Sequence, residues 1–228
     1  TTGVAKLPTT GEFWFAAGTY DFTASYDMKA NTKLIGGFAG TETYASARKT
    51  QNGKPYDFVK PTILNVVQPT EVNATPIRLF KSDTQSGVDL NGLTIQNSKN
   101  KGNGGVYRPH GTNNIKYCTF KNNSSENQGG ALLLYNYSVT VEGCLFMGNT
   151  AVIGGAIHTG ADVNNNLYSA VLKDCDFVNN EATGPNGGGA ISKVKNNILT
   201  ATGCTFDGNK AVYGGALFIN TTKDVTID

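Results

Sequence analysis

Hydrophobic and polar positions recur in a fixed order through the second half of the chain. Apolar runs of two to five residues alternate with polar residues there, and Gly or Asn occupies the joints between them. The apolar side chains are mostly β-branched or aromatic and tend to fall at every second position. Such in-out alternation is typical of β-strands, and the runs are too short for helices.

One of these runs opens a sequence repeat. It has the form Cys-x-Phe-x-x-Asn and occurs four times, at Cys118–Asn123, Cys144–Asn149, Cys175–Asn180 and Cys204–Asn209. A Gly-Gly-Ala triplet follows each copy, at Gly129–Ala131, Gly154–Ala156, Gly188–Ala190 and Gly214–Ala216. A fainter copy begins at Leu93, and successive copies start 25, 26, 31 and 29 residues apart. An approximate period of this length, with slack at the joints, predicts a solenoid.

Each repeat contains three strand-like pieces: the run after the Gly-Gly pair, a Val-Thr-Val type of segment, and the Cys-x-Phe run. Stacking these pieces in parallel from turn to turn, about 4.8 Å apart, predicts an all-β fold, a single parallel β-helix with three short strands per turn. We expect one domain over 1–228, with irregular capping turns in 1–90 and regular repeats in 91–228. The C-terminal end is expected to be uncapped, because no further Gly-Cys-x-Phe follows Asp224–Asp228.

The first part of the chain follows the pattern less regularly. The segments Phe13–Tyr20, Thr32–Phe38 and Pro61–Leu64 predict the first turns, whereas Thr41–Tyr56 predicts a polar excursion without strands. The aromatic opening around Phe13 is expected to cap the N-terminal edge of the solenoid, which would otherwise be open to further strand pairing.

Alternation also predicts which repeat side chains point into the solenoid. Two inward columns are expected to contain Cys118, Cys144, Cys175 and Cys204, and Phe120, Phe146, Phe177 and Phe206. The residue that ends each run falls at a bend, where stacked side-chain amides would bond from turn to turn. This predicted ladder contains Asn123, Asn149, Asn180 and Asn209.

The sequence leaves two interpretations of the cysteines open. Stacked neighbours would have Cα atoms about 4.8 Å apart, so disulfides joining Cys118 to Cys144 and Cys175 to Cys204 fit the spacing. Inward thiols packed as small apolar groups fit it as well. The paired C-x-x-C spacing of metal sites is absent, and we predict no metal and no cofactor.

Composition narrows the classes of function. The 25 Asn, 27 Thr and 28 Gly residues argue against a helical bundle or a coiled coil. A net charge of +2 is too small to indicate nucleic-acid binding. No apolar run approaches the length of about 20 residues that a membrane span needs, so we predict no membrane insertion by this chain.

Candidate catalytic groups are sparse. A β-helix lyase would need a basic residue, and often a carboxylate cluster that holds Ca²⁺. The nearest candidates are Asp174, Asp176, Asp207, Lys173 and Lys193. The column of Asp176 contains no second carboxylate, and His110 and His158 fall in different turns. We therefore assign no catalytic residue.

A binding surface is the favoured hypothesis. The outward position after each Gly-Gly-Ala forms a mixed column of Arg108, Leu133, His158, Ser192 and Phe218. Aromatic rings near the corners can stack on sugars or on a protein partner. These rings belong to Tyr135, Tyr137, Tyr168 and Tyr213.

Gly-Gly-Ala followed by Phe-x-x-Asn resembles the repeat of the polymorphic outer-membrane proteins, which are secreted bacterial β-helix adhesins. The resemblance covers residues 104–220, with four paired motifs in register. The segments Ala16–Tyr20 and Leu34–Glu42 look like the head of large secreted right-handed β-helix proteins, a group that also contains pectate-lyase-like enzymes. The resemblance implies a right-handed solenoid outside the cell or at its surface, and this fold hosts both binding proteins and enzymes.

The leading hypothesis is a non-enzymatic extracellular or cell-surface protein that acts as an adhesive or structural unit. Its partners would be a glycan or a host or cell-surface protein, and its open end or its faces would allow a homo-oligomer or filament. The alternatives are a polysaccharide lyase or hydrolase of the pectate-lyase-like group and a carbohydrate-binding module.

Overall fold

Short parallel strands stack along the chain from its first described residues to its last. The computed structural model describes residues 11–81, 87–111, 113–135, 137–160, 168–195 and 197–228. Within these ranges every strand pairs in parallel with strands of neighbouring turns, and the one antiparallel contact is an isolated bridge between Thr50 and Phe58. The prediction of an all-β parallel solenoid is confirmed.

Two long sheets form two walls of the solenoid. The eight-stranded sheet consists, in order, of Gly11–Ala16, Thr32–Phe38, Asp89–Asn91, Asn113–Lys116, Val139–Glu142, Ser169–Lys173, Ile198–Thr202 and Val225–Ile227. The seven-stranded sheet consists of Gly18–Phe22, Thr62–Val66, Leu93–Gln96, Thr119–Lys121, Leu145–Met147, Asp176–Val178 and Thr205–Asp207. The predicted first turns and the predicted excursion therefore lie where the sequence pattern puts them.

Shorter sheets complete each turn. The four-stranded sheet consists of Leu132–Tyr135, Ile157–Gly160, Ile191–Val194 and Leu217–Asn220. The five-stranded sheet consists of Lys99–Asn100, Ser124–Ser125, Thr150–Ala151, Glu181–Ala182 and Lys210–Ala211. Nearer the N-terminus, Tyr26–Asp27 pairs with Phe80–Lys81.

The regular turns contain four strands, one more than the sequence predicts. The additional strand is the two-residue strand of the five-stranded sheet, which follows the Asn at the end of each repeat run. Ser124 pairs there with Thr150, and Thr150 with Glu181. Two residues are too few to leave a periodic signal in the sequence, which is why the pattern does not reveal them.

Aromatic rings stack through the core of the regular turns. Successive ring centroids are 4.9, 4.9 and 5.1 Å apart and the planes lie within 8° of parallel, in a column of Phe120, Phe146, Phe177 and Phe206. Phe206 is half-buried, whereas the other three rings are fully buried, because only Val225–Ile227 belongs to a further turn above it. The column gives each turn the same internal shape.

The cysteine column lies beside the phenyl rings, and all four of its members are free thiols. Of the two interpretations that the sequence leaves open, the structure therefore has the unbonded one. The backbone N–H of Cys118 donates to Cys144 Sγ at 3.3 Å. Burial raises the pKa of the Cys144 thiol well above its ordinary value, so this thiol stays protonated and poorly reactive.

Asparagine amides join the turns at one bend. Asn149 Nδ2 donates to Asn180 Oδ1 at 2.9 Å and to Phe120 O at 3.0 Å. Asn149 Oδ1 accepts from both the backbone N–H and Nδ2 of Asn123, each at 3.1 Å. The same bonds recur between Asn180 and Asn209 at 2.9 Å. Each buried amide is thus satisfied by the turns on either side of it, which makes the stack rigid.

The excursion (residues 41–60) leaves the solenoid and folds back along its side. It contains the short 3₁₀ helix Ala45–Ala47 and the Thr50–Phe58 bridge. Arg48 anchors it, donating to Gly36 O at 2.6 Å and to Asn91 Oδ1 at 2.8 Å. The same guanidinium lies 4.9 Å from the ring centroid of Phe58. The excursion is therefore a packed part of the fold.

At the N-terminal end, Trp14 stacks on Phe38 with ring centroids 4.6 Å apart, and 43% of the Trp14 surface remains exposed. Among the described residues, no helix has the length and hydrophobicity that spanning a membrane requires.

Candidate functional site

The predicted outward column exists in register, but most of it is not exposed. Leu133 pairs with His158, His158 with Ser192, and Ser192 with Phe218. Leu133 and His158 each expose 1% of their surface, and Ser192 exposes none. Only the two ends of the column, Arg108 and Phe218, are half-buried rather than buried. The prediction that these five residues form an exposed ligand face is wrong for the three in the middle.

Close packing of the Gly-Gly corners explains this burial. A Cβ atom on Gly104 would lie 3.4 Å from Leu133 Cβ, and one on Gly154 would lie 3.2 Å from His158 Cα. The corners therefore lie directly against the four-stranded sheet, on the side where the column points. The sequence shows the glycines but not which strand they cover.

His158 is buried without a hydrogen-bond partner on either ring nitrogen. Burial, together with the positive charges of Lys193 and Lys195, lowers its pKa to about 4. The imidazole is therefore neutral at physiological pH. No reaction that needs a protonated histidine is supported at this position.

Lys193 is also buried, in the inward column that contains Leu134 and Thr159. Its ammonium donates to Lys195 O at 2.9 Å. Burial lowers its pKa to about 8. This lysine, a candidate base in the sequence, therefore faces the core and not a substrate groove.

Rings and a cation meet where the four-stranded sheet turns into the eight-stranded sheet. The centroids of His110 and Tyr137 are 4.8 Å apart, and those of Tyr137 and Tyr168 are 6.0 Å apart. The guanidinium of Arg108 lies 5.8 Å from the centroid of Tyr135. We call these five residues the aromatic corner. All five are half-buried, so the rings keep accessible surface.

Four of the nine predicted ligand-binding residues thus lie at this corner in two contacting pairs, Arg108 with Tyr135 and Tyr137 with Tyr168. His110, which the sequence does not single out as a ligand-binding residue, joins them. Tyr213 is 59% exposed but precedes the Gly-Gly pair of the last turn, at the other end of the four-stranded sheet. Ring stacking between turns was not visible in the sequence, because the lengths of the joints between these residues differ.

A second feature is a clasp between the excursion and the seven-stranded sheet. Lys54 Nζ lies 2.6 Å from Asp176 Oδ2, and the Tyr56 hydroxyl donates to the same oxygen. Thr205 donates to the other carboxylate oxygen at 2.5 Å. Burial alone would raise the pKa of Asp176, but the bonds from Lys54, Thr205 and Tyr56 hold it below its ordinary value. Burial and Asp176 together raise the pKa of Tyr56.

The clasp gives Asp176 a structural role. Its column runs through Thr119, Leu145 and Thr205, as the alignment predicts, and contains no second carboxylate. Beside it, a groove of about 430 Å³ separates the excursion from the sheet and is lined by Tyr56, Phe58, Ile63, Leu145 and Met147, among others.

The remaining acidic candidates do not form a metal site. Lys173 lies 3.9 Å from Asp174 at the surface, where both side chains are more than half exposed. Among the described residues, no three His, Cys, Asp or Glu side chains are close enough to hold a metal ion.

Comparison with known sequences now adds to this geometry. The profile of the Chlamydia polymorphic membrane protein (Chlamydia_PMP) repeat matches residues 117–134 and 203–220. No curated protein and no solved structure matches the chain.

Each repeat match corresponds to one structural unit. It begins one residue before a Cys-x-Phe run of the seven-stranded sheet and extends into the next strand of the four-stranded sheet. The Asn bend and the Gly-Gly corner lie inside it. The resemblance seen in the sequence is therefore confirmed, and the repeat associates the chain with surface and outer-membrane proteins.

Proposed function

We propose that this chain is a non-enzymatic adhesive unit exposed at a cell surface. The observation that carries the proposal is the aromatic corner, where half-buried rings of different turns lie 4.8 to 6.0 Å apart on a scaffold held by the asparagine and phenylalanine columns. Aromatic rings fixed in this way bury large contact area with little loss of conformational entropy on binding.

Rigidity and repeat type support the same role. Every regular turn is fixed to the next by buried amides and stacked rings, so a contact surface on one turn keeps its geometry relative to the others. The polymorphic membrane protein repeats associate the chain with surface proteins. A ligand that spans several turns would bind a preformed surface, so little conformational entropy of the protein would be lost on binding.

The experiment compares the wild-type chain with a Tyr137→Ala/Tyr168→Ala double variant, both coated on fluorescent beads and added to cultured animal cells. We expect cell-bound beads to fall at least tenfold for the double variant. Tyr44→Ala is the matched control, because Tyr44 is 60% exposed and lies in the excursion. Equal adhesion of the wild type and the double variant, with both folded by circular dichroism, would refute the proposal.

Self-association is a second proposal, and exposed apolar residues of the last turn favour it. Val212 is 64% exposed, and Ile219 and Ile227 are each 44% exposed. These residues lie beside strand edges that have no neighbour among the described residues. Sedimentation velocity from 1 to 200 μM tests the proposal: the Ile219→Lys variant should remain monomeric where the wild type associates. A wild-type chain that stays monomeric throughout contradicts it.

A further inference from the structure

A cleft lined by cations lies near the N-terminal end of the solenoid, next to the aromatic corner. Its volume is about 510 Å³, within the range of small-ligand sites. Its polar lining includes Arg78, Lys81, Arg108, Asn100 and Asn103, and no carboxylate is among the described residues that line it. We call it the basic cleft.

Two of the cations come from neighbouring segments of the chain. The Phe80 N–H donates to Val106 O at 3.1 Å, so the strand Phe80–Lys81 lies against the segment that leads to Arg108, and both Lys81 and Arg108 line the cleft. Lys81 also pairs with Asp27 on its other side. The Asp27 carboxylate is bound to Lys29 at 2.6 Å. Among the residues that the structure describes, neither Lys81 nor Arg108 forms an ion pair with a carboxylate.

Arg108 has a buried hydrogen-bond donor without an acceptor. Its Nε is buried and has no hydrogen-bond acceptor. The face of the guanidinium is packed over Tyr135, so its orientation is fixed. A buried guanidinium N–H without an acceptor is costly, and an oxyanion is the acceptor that fits its planar fork best.

The cleft also contains an acceptor without a donor. Asn103 Oδ1 is buried and receives no hydrogen bond. Arg78 donates instead to the backbone oxygen of Asn103, at 3.3 Å, and Asn100 Nδ2 donates to that oxygen at 2.7 Å. A ligand that satisfies both Arg108 and Asn103 must carry an oxyanion and a hydrogen-bond donor, and an acidic sugar supplies both.

We propose that the basic cleft binds an acidic sugar. Its carboxylate or sulfate accepts hydrogen bonds from Arg108 and Lys81, and a neighbouring ring hydroxyl donates to Asn103 Oδ1. The Tyr135 ring beneath the guanidinium supports the bound group from below. The site shares Arg108 and Tyr135 with the aromatic corner, but its test is independent of the adhesive role, because sugar binding in the cleft does not use the stacked rings of Tyr137 and Tyr168.

Isothermal titration calorimetry with four oligosaccharides tests the proposal. A trigalacturonate carries carboxylates, a heparin-derived tetrasaccharide carries sulfates and carboxylates, and maltotriose and maltotetraose are neutral. We expect at least one acidic probe to bind with Kd below 1 mM, weakening as salt rises, and no binding of the neutral probes. Which acidic probe binds more tightly shows whether the cleft prefers carboxylate or sulfate.

Variants locate the binding in the cleft. Arg108→Gln should weaken binding at least tenfold, and Lys81→Gln, which changes an exposed side chain and leaves the core intact, at least threefold. Lys223→Gln makes the same charge change at an exposed position of the last turn and should leave Kd within twofold. If Arg108→Gln fails to fold, Lys81→Gln still decides the question.

Three outcomes would overturn the proposal. The first is that neither acidic probe binds below 1 mM. The second is that Lys223→Gln weakens binding as much as Lys81→Gln does, which indicates unspecific attraction to positive charge. The third is that inorganic phosphate or a short single-stranded oligonucleotide binds as tightly as the sugars, because the ligand would then be an anion of another class.

Discussion

Single residues hold the excursion to the solenoid. Asp176 is 122 positions away from Lys54 in the sequence, yet its carboxylate receives Lys54, Tyr56 and Thr205. With 11% of its side chain exposed, the carboxylate is shielded from water, so these bonds contribute more than a surface ion pair would. The clasp thereby fixes one wall of the groove beside the seven-stranded sheet.

We predict that Asp176→Asn lowers the free energy of unfolding by about 2 kcal/mol, the scale of hydrogen bonds to a charged group. Asp207→Asn is the control, because Asp207 is exposed two positions along the same face. Urea unfolding measures both variants, and trypsin should cut after Lys49, an exposed residue of the excursion, faster in Asp176→Asn alone. Equal losses for the two variants would contradict a clasp.

We also predict that the loss of stability in Asp176→Asn depends on pH. The folded pKa of Asp176 lies below its ordinary value of 3.8, so the stabilisation is complete well above pH 3.8 and is lost as the pH falls through the lower folded value. The difference in unfolding free energy between wild type and Asp176→Asn should therefore shrink below about pH 4. A difference that is constant from pH 7 to pH 3 would assign it to packing instead.

At Lys193 we predict the opposite effect to that of Asp176→Asn, namely a substitution that stabilises the fold. Lys193→Met should raise the free energy of unfolding by about 1 kcal/mol or more at pH 7, because an apolar chain of similar length removes a buried charge. The folded pKa of about 8 lies below the ordinary 10.5, so the wild-type lysine loses its proton first in the folded state. The advantage of Lys193→Met should therefore shrink between pH 8 and pH 10.5 in urea titrations, whereas Lys33→Met, at an exposed position, should show no such change.

At this scale the sequence predicts contacts within the repeat and misses contacts between different parts of the chain. The alignment places Asp176 in a column with Thr119 and Thr205, and the structure has that column. No periodic signal connects Asp176 to Lys54, because the excursion is not part of any repeat. The burial of His158 was missed for a related reason: alternation assigns a face, but it does not show what packs on that face.

At the level of structural elements, the asparagine ladder provides many of the hydrogen bonds that hold neighbouring turns together. The side chain of Asn149 takes part in four hydrogen bonds to the turns on either side, and it is fully buried. The ladder follows from the sequence alone because the four Asn residues share one repeat position. The fourth strand of each turn does not, since it is two residues long and varied in composition.

Asn149→Ala should lower the free energy of unfolding by about 3 kcal/mol, because its removal leaves buried donors and acceptors without partners. Asn209→Ala is the matched control: Asn209 is half-buried and accepts from Asn180, so water can replace part of what is lost. We expect about 1 kcal/mol for it. Denaturant midpoints, measured with unchanged m-values, give the loss of unfolding free energy for each variant. Equal losses would show that burial does not determine how much each Asn contributes to stability.

For the whole molecule, the number of neighbours of each turn sets its local stability. Core residues of the central turns are covered on both sides, whereas in the last turn Phe206, Leu217 and Val225 are only half-buried. A solenoid gains its stability mainly from contacts between adjacent turns. The last turn is therefore the least stable of the regular repeats in this chain.

Amide hydrogen exchange should show this gradient. We expect the slowest exchange in the strands Leu145–Met147 and Asp176–Val178 and exchange at least a hundredfold faster in Val225–Ile227, because local opening there breaks contacts on one side only. Mass spectrometry of peptic fragments over a day resolves the range. Uniform protection from Leu145 to Ile227 would mean that the described turns unfold as one unit.

The asparagine ladder has a consequence for how such chains can change in length. Because each amide presents the same donor and acceptor to the turn before it and to the turn after it, removing one complete copy would bring Asn123 directly against Asn180 with every bond of the bend restored. Gain or loss of whole copies in the gene is therefore nearly silent for folding, whereas loss of a residue within a strand or at the Asn bend shifts the side chains that follow out of their columns.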